Sequence, residues 1–183
     1  DASIAEDTSF SLVLSATDVD DGDSLTYAAS VDGNADVTVD GENLTVTPFD
    51  NFNGGISVSV LVTDLEGLSD SQVFVLTVTP VNDAPVIENI SDQEVNEDTP
   101  LIVDLFTFDI DGDELTLEAS VDGNGSVSIT DNILTLTPDQ DYNGSIIVTV
   151  EVSDGELLDN TSFTVTVNPI NDEPSFIAHD ITV

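Results

Sequence analysis

Carboxylates are the only reactive side chains this sequence holds in quantity, and they recur in register. Asp18-Val19-Asp20-Asp21-Gly22-Asp23 returns as Asp109-Ile110-Asp111-Gly112-Asp113. Glu6, Asp50, Asp64 and Asn82-Asp83 return as Glu97, Asp139 with Asp141, Asp154 and Asn171-Asp172. Alternating acidic residues in a loop set hard oxygen donors close together, which is what the large oxygen shell of calcium requires. Magnesium asks for a tighter octahedron and keeps more of its water. Zinc prefers Cys and His, and the chain has no Cys and one His, His179. Acidic turns are also common in acidic β-proteins. Duplication alone would preserve them, so the recurrence supports a metal site and leaves the solvated-turn reading open.

The charge balance points the same way. The 183 residues include 38 Asp plus Glu and no Lys or Arg, a formal net charge of −38. Self-repulsion on this scale opposes a compact state unless cations bind or screen. Nucleic acid is excluded as a partner, because nothing here neutralises phosphates. An anionic membrane surface is disfavoured for the same reason, and no apolar run reaches membrane-spanning length. Hydrophobic residues still make up 39% and fall in regular patterns, so an acidic disordered tail is not expected. Without Cys there is no disulfide staple. No signal peptide is present, so any export signal is expected to lie outside these residues.

The elements that would position the acids are duplicated too. Glu6-Asp7-Thr8 recurs 91 positions on, Ser30-Val31-Asp32-Gly33-Asn34 recurs 90 on, and Asn82-Asp83-x-Pro85 recurs 89 on. The falling offset implies two single-residue deletions in the second copy, near Asp21 and near Leu65 to Gly67, both in turns. The repeats are set at 1–85 and 86–174, with 175–183 opening a linker to a following repeat; that tail resembles a linker start at 86–95.

Period-2 alternation dominates. Ile56, Val58, Val60 and Val62 form one face, matched by Ile146, Val148, Val150 and Val152. Leu44 with Val46, Phe74 with Leu76 and Val78, and Phe10 with Leu12 and Leu14 form others, each repeated in the second copy. Asp-Gly-Asn at 32–34 and 122–124 and Asn-Gly at 53–54 and 143–144 mark tight turns. The first repeat then holds seven strands, near 2–5, 10–16, 24–30, 36–40, 43–47, 56–63 and 70–79. This predicts an all-β chain of two tandem Greek-key seven-stranded β-sandwiches arranged end to end.

These motifs resemble a known family. Ala16-Thr17-Asp18-Val19-Asp20 ahead of Leu25-Thr26-Tyr27, the late Val62-Thr63-Asp64, and Val81-Asn82-Asp83-Ala84-Pro85 are similar to the A-T-D-x-D, A-x-D and linker segments of cadherins. The likeness is nearest to bacterial cadherin-like tandem repeats of the V-N-D-A-P type found in very large secreted adhesins. It implies calcium between successive repeats, with Glu6 and Asp50 from the first, Asn82 (through an oxygen) and Asp83 from the linker, and Asp109, Asp111 and Asp154 from the second. About two or three calcium ions would neutralise six such carboxylates. Pro80 replaces the first Asp of the linker motif, and Asp50-Asn51-Phe52 carries one acid where cadherins carry two, so fewer ions are expected. Two half-sites, Asp18, Asp20 and Asp64 at one end and Glu97, Asp139, Asp141 and Asp172 at the other, are expected empty or weakly filled. Asp113 offers a second, intra-repeat arrangement.

The function expected from this resemblance is a calcium-stiffened spacer in an extracellular adhesin on a bacterial surface. Its partners would be calcium ions and neighbouring repeats. The alternative is a recognition module making homophilic or glycan contacts, though the chain has no Trp and only Tyr27 and Tyr142. An enzyme is not expected: paired carboxylates serve glycoside hydrolysis, but every pair here belongs to a repeated turn.

Overall fold

The computed structural model describes residues 2–19 and 24–174. Asp20 and the tail at 175–183, with His179, lie outside them. The chain divides into two compact units, Asp1–Val81 and Asn82–Val183.

Unit 1 contains β1 (Ala2–Ala5), β2 (Phe10–Val13), β3 (Thr26–Val31), β4 (Ala35–Asp40), β5 (Asn43–Pro48), β6 (Gly54–Thr63) and β7 (Ser69–Thr79). They form two sheets, ordered β1-β7-β6-β3 and β2-β5-β4. β1 runs parallel to β7, pairing Ala2 with Leu76, and the other pairs are antiparallel. The chain changes sheet between β1 and β2, β2 and β3, β3 and β4, and β5 and β6, which is the Greek-key sandwich. Alternation along each strand sends one side chain in two inward. Leu44, Val46, Ile56, Val58, Leu76 and Val78 therefore meet between the sheets, each at most 2% exposed.

Unit 2 contains β8 (Val86–Ile87), β9 (Gln93–Asn96), β10 (Leu101–Asp104), β11 (Thr107–Phe108), β12 (Thr116–Val121), β13 (Gly125–Thr130), β14 (Ile133–Pro138), β15 (Gly144–Ser153) and β16 (Leu158–Asn168). Sheets β12-β15-β16-β9 and β10-β14-β13 repeat the pattern of unit 1. A third pair, β8 with β11, is added. The core again joins both sheets through Leu134, Leu136, Ile146, Val148, Phe163 and Val165.

All seven strands expected in the first repeat are present. Boundaries shift by a residue or two at several strands, and most at β2, which stops at Val13 and not 16; Leu12 is 42% exposed although its alternation points it inward. A second difference lies at 86–95, which reads as linker but holds β8 and β9. Ile87 is 5% exposed and part of the unit 2 core. Two residues carry no periodic signal, so β8 is defined by what it covers.

Turns follow their chemistry. Gly33 and Gly123 (φ 143° each) precede Asn34 and Asn124 (φ 59° each), positions that favour Gly and Asn. The Asp32 and Asp122 carboxylates accept the Ser57 and Ile147 amides, each at 2.9 Å. Gly144 has a φ of 147°, which favours glycine, and a Cβ there would lie 2.6 Å from Tyr142 Oη. The turn between the last two strands of each unit runs Asp64 to Leu68 in the first and Asp154 to Leu157 in the second, shorter by the deleted residue.

Candidate metal centre

Asp109 follows directly on β11. Its Oδ1 accepts three consecutive backbone N–H groups, from Asp111 at 2.9 Å, Gly112 at 3.0 Å and Asp113 at 3.3 Å. Gly112 (φ 81°) allows the chain to curl around that oxygen. Asp109 is 9% exposed, and its second oxygen, Oδ2, is buried with no hydrogen-bond partner among the described residues. A buried, unpaired carboxylate oxygen is costly, by about 1–3 kcal/mol or more for a charged group. A bound cation would remove that cost.

Other oxygens lie close by. Asp109, Asp111 and Asp113 each offer one within 4.8 Å of the others. Asp111 Oδ2 accepts the Asp83 backbone N–H at 2.8 Å, which ties the segment before β8 to this loop. Asn82 Nδ2 donates to Asp154 Oδ2 at 2.9 Å, leaving the amide oxygen as an acceptor. Asp154 Oδ1 accepts from Glu156 and Leu157, both at 2.7 Å. The bonds from Leu157, Asn82 and Glu156, in that order, hold the Asp154 carboxyl below the usual aspartate range.

Five of the seven residues expected to ligate metal, namely Asn82, Asp83, Asp109, Asp111 and Asp154, thus lie in unit 2 and are cross-linked in two groups, Asp83-Asp111-Asp109 and Asn82-Asp154. Glu6 and Asp50 belong to unit 1. Glu6 is 3% exposed, and its Oε1 accepts the Val81 N–H. Asp50 is exposed. Beside it, the Asn51 N–H goes to Asp7 Oδ1 at 3.0 Å. Asp7 was missed by the sequence reading, and so was its counterpart Asp98. Asp98 Oδ1 accepts the Asp141 N–H at 3.1 Å, and one oxygen each from Asp98, Asp141 and Asp172 lie within 4.8 Å. Both sit in left-handed backbone (φ 58° and 59°), which Asp tolerates; the sequence marks them only by the recurrence of Glu-Asp-Thr in both copies. Glu97 repeats the role of Glu6, its Oε1 accepting the Ile170 N–H and its Oε2 taking Asn143 Nδ2 at 3.5 Å. Desolvation, then the charges of Asp141, Glu97 and Asp98, raise the Asp172 carboxyl above the usual value.

A duplicated sandwich with A-strand, Greek-key sheets and an acidic loop at its β11 end defines an immunoglobulin-like repeat. Residues 1–77 and 82–168 match the bacterial Ig domain model, and the chain belongs to that family. No curated protein matches it. Among solved structures, Drosophila N-cadherin EC1-3 is similar at 14% identity over 87% of this chain and 60% of that one, with a TM-score of 0.43. The titin domains z1z2 in complex with telethonin match at 11% identity over 93% of both chains, TM-score 0.40. An endo-fucoidan hydrolase of glycoside hydrolase family 107 matches at 21% identity, TM-score 0.37; the present chain covers 27% of its length. Among the described residues no helix is long and apolar enough to cross a membrane.

Proposed function

We propose that the chain is a pair of calcium-binding spacer repeats from an extracellular bacterial adhesin, of the cadherin-like V-N-D-A-P type, and that it is not catalytic. The observation that carries the reading is the buried, unpartnered Asp109 Oδ2 beside the oxygens of Asp111 and Asp113. Every donor near it is an oxygen, which suits calcium and not zinc. In this reading Asp83 and Asp154 complete the shell, with Asn82 through its amide oxygen and with Glu6 and Asp50 from the first repeat. Calcium then removes the mutual repulsion of these acids and stiffens the passage from one repeat to the next. The glycan alternative gains nothing from the tyrosines: Tyr27 is partly buried against the core, and Tyr142 Oη donates to Ser145 O at 2.9 Å.

Calorimetric titration of calcium into the full chain tests this. Wild type is expected to bind, with Asp109→Asn and Asp111→Ala each weakening affinity at least tenfold. Calcium at about a hundred times its dissociation constant stabilises by roughly 2.7 kcal/mol, so EGTA should lower the melting temperature. In this reading the small-angle scattering profile should broaden in EGTA. Absence of binding heat in wild type, with an unchanged melting temperature, overturns the reading.

A further inference from the structure

In unit 2 the outer face of the sheet β10-β14-β13, continued by the pair β8-β11, carries a row of large apolar side chains. Leu101, Val103 and Leu105 pack on the core, so alternation turns Ile102, Asp104 and Phe106 outward. Phe108 pairs with Val86 across β8-β11, and Asp104 pairs with Ile133. The Glu88 N–H donates to Phe106 O at 3.0 Å, which sets Glu88 opposite Phe106 on the same face. Val86, Ile102, Phe106 and Phe108 are each more than half exposed, and Ile133 is exposed as well. An open cleft of about 560 Å³ runs along Val86, Glu88, Phe106 and Phe108.

Unit 1 is an internal control. The positions of Ile102, Phe106, Phe108 and Ile133 are held there by Ser11, Ser15, Thr17 and Asn43, all exposed. Its outward aliphatic residue, Val13, stands among Ser11, Ser15 and Asn43. Both copies close the same two-sheet core, so the fold does not require phenylalanine at these positions. Single exposed apolar residues are ordinary, but a contiguous row with two aromatics marks an interaction surface.

The acids in the row define the partner. Phe106 has Glu88 across the strand pair and Asp104 two residues back on its own strand. An Arg guanidinium stacked on the ring and paired with these carboxylates fits that arrangement. A second copy of this chain cannot supply it, because the chain has no Lys or Arg. Face-to-face contact between copies would also bring Glu88 and Asp104 against like charges. We infer that this face of unit 2 docks a basic, apolar segment of another protein. Its Arg side chains lie over Phe106 and pair with Glu88 and Asp104, while its aliphatic side chains pack on Val86, Phe108 and Ile102. The contact uses no metal and goes beyond the spacer reading.

Amide and methyl NMR of the full chain, in calcium and physiological salt, tests this with a short synthetic peptide of alternating Arg and Leu. The expected result is saturable shifts at Val86, Ile102 and Ile133, with none comparable at Ser11, Ser15 and Asn43. A peptide of equal charge that alternates Arg and Ser should bind at least about tenfold more weakly. Phe106→Ser with Phe108→Thr, the residues of unit 1, should weaken the Arg-Leu peptide by about tenfold or more. The melting temperature should stay within roughly 2 °C, because both side chains are exposed. Glu88→Gln with Asp104→Asn should weaken binding as well, with the apolar row left intact. Shifts spread evenly over both units, or unchanged affinity in both variants, would mean attraction by net charge alone and overturn the proposal. So would self-association through this face in sedimentation, or a neutral glycan that shifts these residues when the peptide does not, because the occupant would then be of another kind.

Discussion

Units 1 and 2 share strand order, turn chemistry and a matched set of inward side chains, yet bury them differently. Ile146, Val148, Val150 and Val152 are all fully buried in unit 2; in unit 1 Ile56 and Val58 are, while Val60 and Val62 are not. Thr161 is 6% exposed, whereas Gln72 at the same position is exposed. The unit 2 core includes Ile87 of β8, which is 5% exposed. In a small sandwich a strand this short is decisive, because there is little core to spare. Full burial of one Ile contributes about 1.5–3 kcal/mol, a large share of a marginal total.

Removing the cover is the strongest way to break the contrast. Ile87→Ala is expected to cost unit 2 about 2–4 kcal/mol by deleting a core side chain. Hydrogen exchange at Val150 and Val152 should then approach that at Val60 and Val62. If exchange in unit 2 is unchanged, β8 is not what separates the units. A paired substitution sharpens the same point with a smaller effect. Val150→Ala should cost about 2–3 kcal/mol and Val60→Ala about 1 kcal/mol, by differential melting of each unit, because only the first leaves a sealed cavity. Equal costs would mean that Val60 is as tightly enclosed in solution as Val150.

How much of this was legible depended on the length of the signal. Ten-residue strands such as β6 and β15 show their alternation over several side chains, and their inward faces were read correctly at Ile56, Val58, Ile146 and Val148. β8 is two residues, too short for a period, and its burial depends on strands far along the chain. Leu12 failed for the related reason that alternation gives a direction but not a cover. At the acids, the Asp-x-Asp loop was visible because its spacing is local. The partnership of Asp7 with Asn51 and of Asp98 with Asp141 spans 44 and 43 residues and follows only from the Greek-key crossing.

A milder comparison lies at the matched turn residues Phe52 and Tyr142. Both pack on their unit's core and over a left-handed Gly, Gly54 or Gly144. Only Tyr142 adds a hydrogen bond, to Ser145 O. Tyr142→Phe therefore makes unit 2 resemble unit 1 at this turn, and should cost about 0.5–1.5 kcal/mol in the unit 2 melting transition. A cost near zero would show that water replaces the hydroxyl without loss.

The smallest effects are electrostatic and oppose each other within unit 2. Asp154 has its carboxyl depressed in the fold, so it contributes stability above its unfolded value that is lost as pH falls through the lower folded one. Asp172 has its carboxyl raised, so its contribution is present below the unfolded value and lost as pH rises through the higher folded one. In EGTA, Asp154→Asn should lower unit 2 stability at neutral pH and flatten its loss on acidification. Asp172→Asn should raise neutral stability by removing repulsion with Asp141, Glu97 and Asp98, and leave the acid end unchanged. Melting curves from neutral pH down through the carboxylate range read both signs. The same sign from both substitutions would mean that net charge alone, not the local bonds of each carboxyl, governs the acid response.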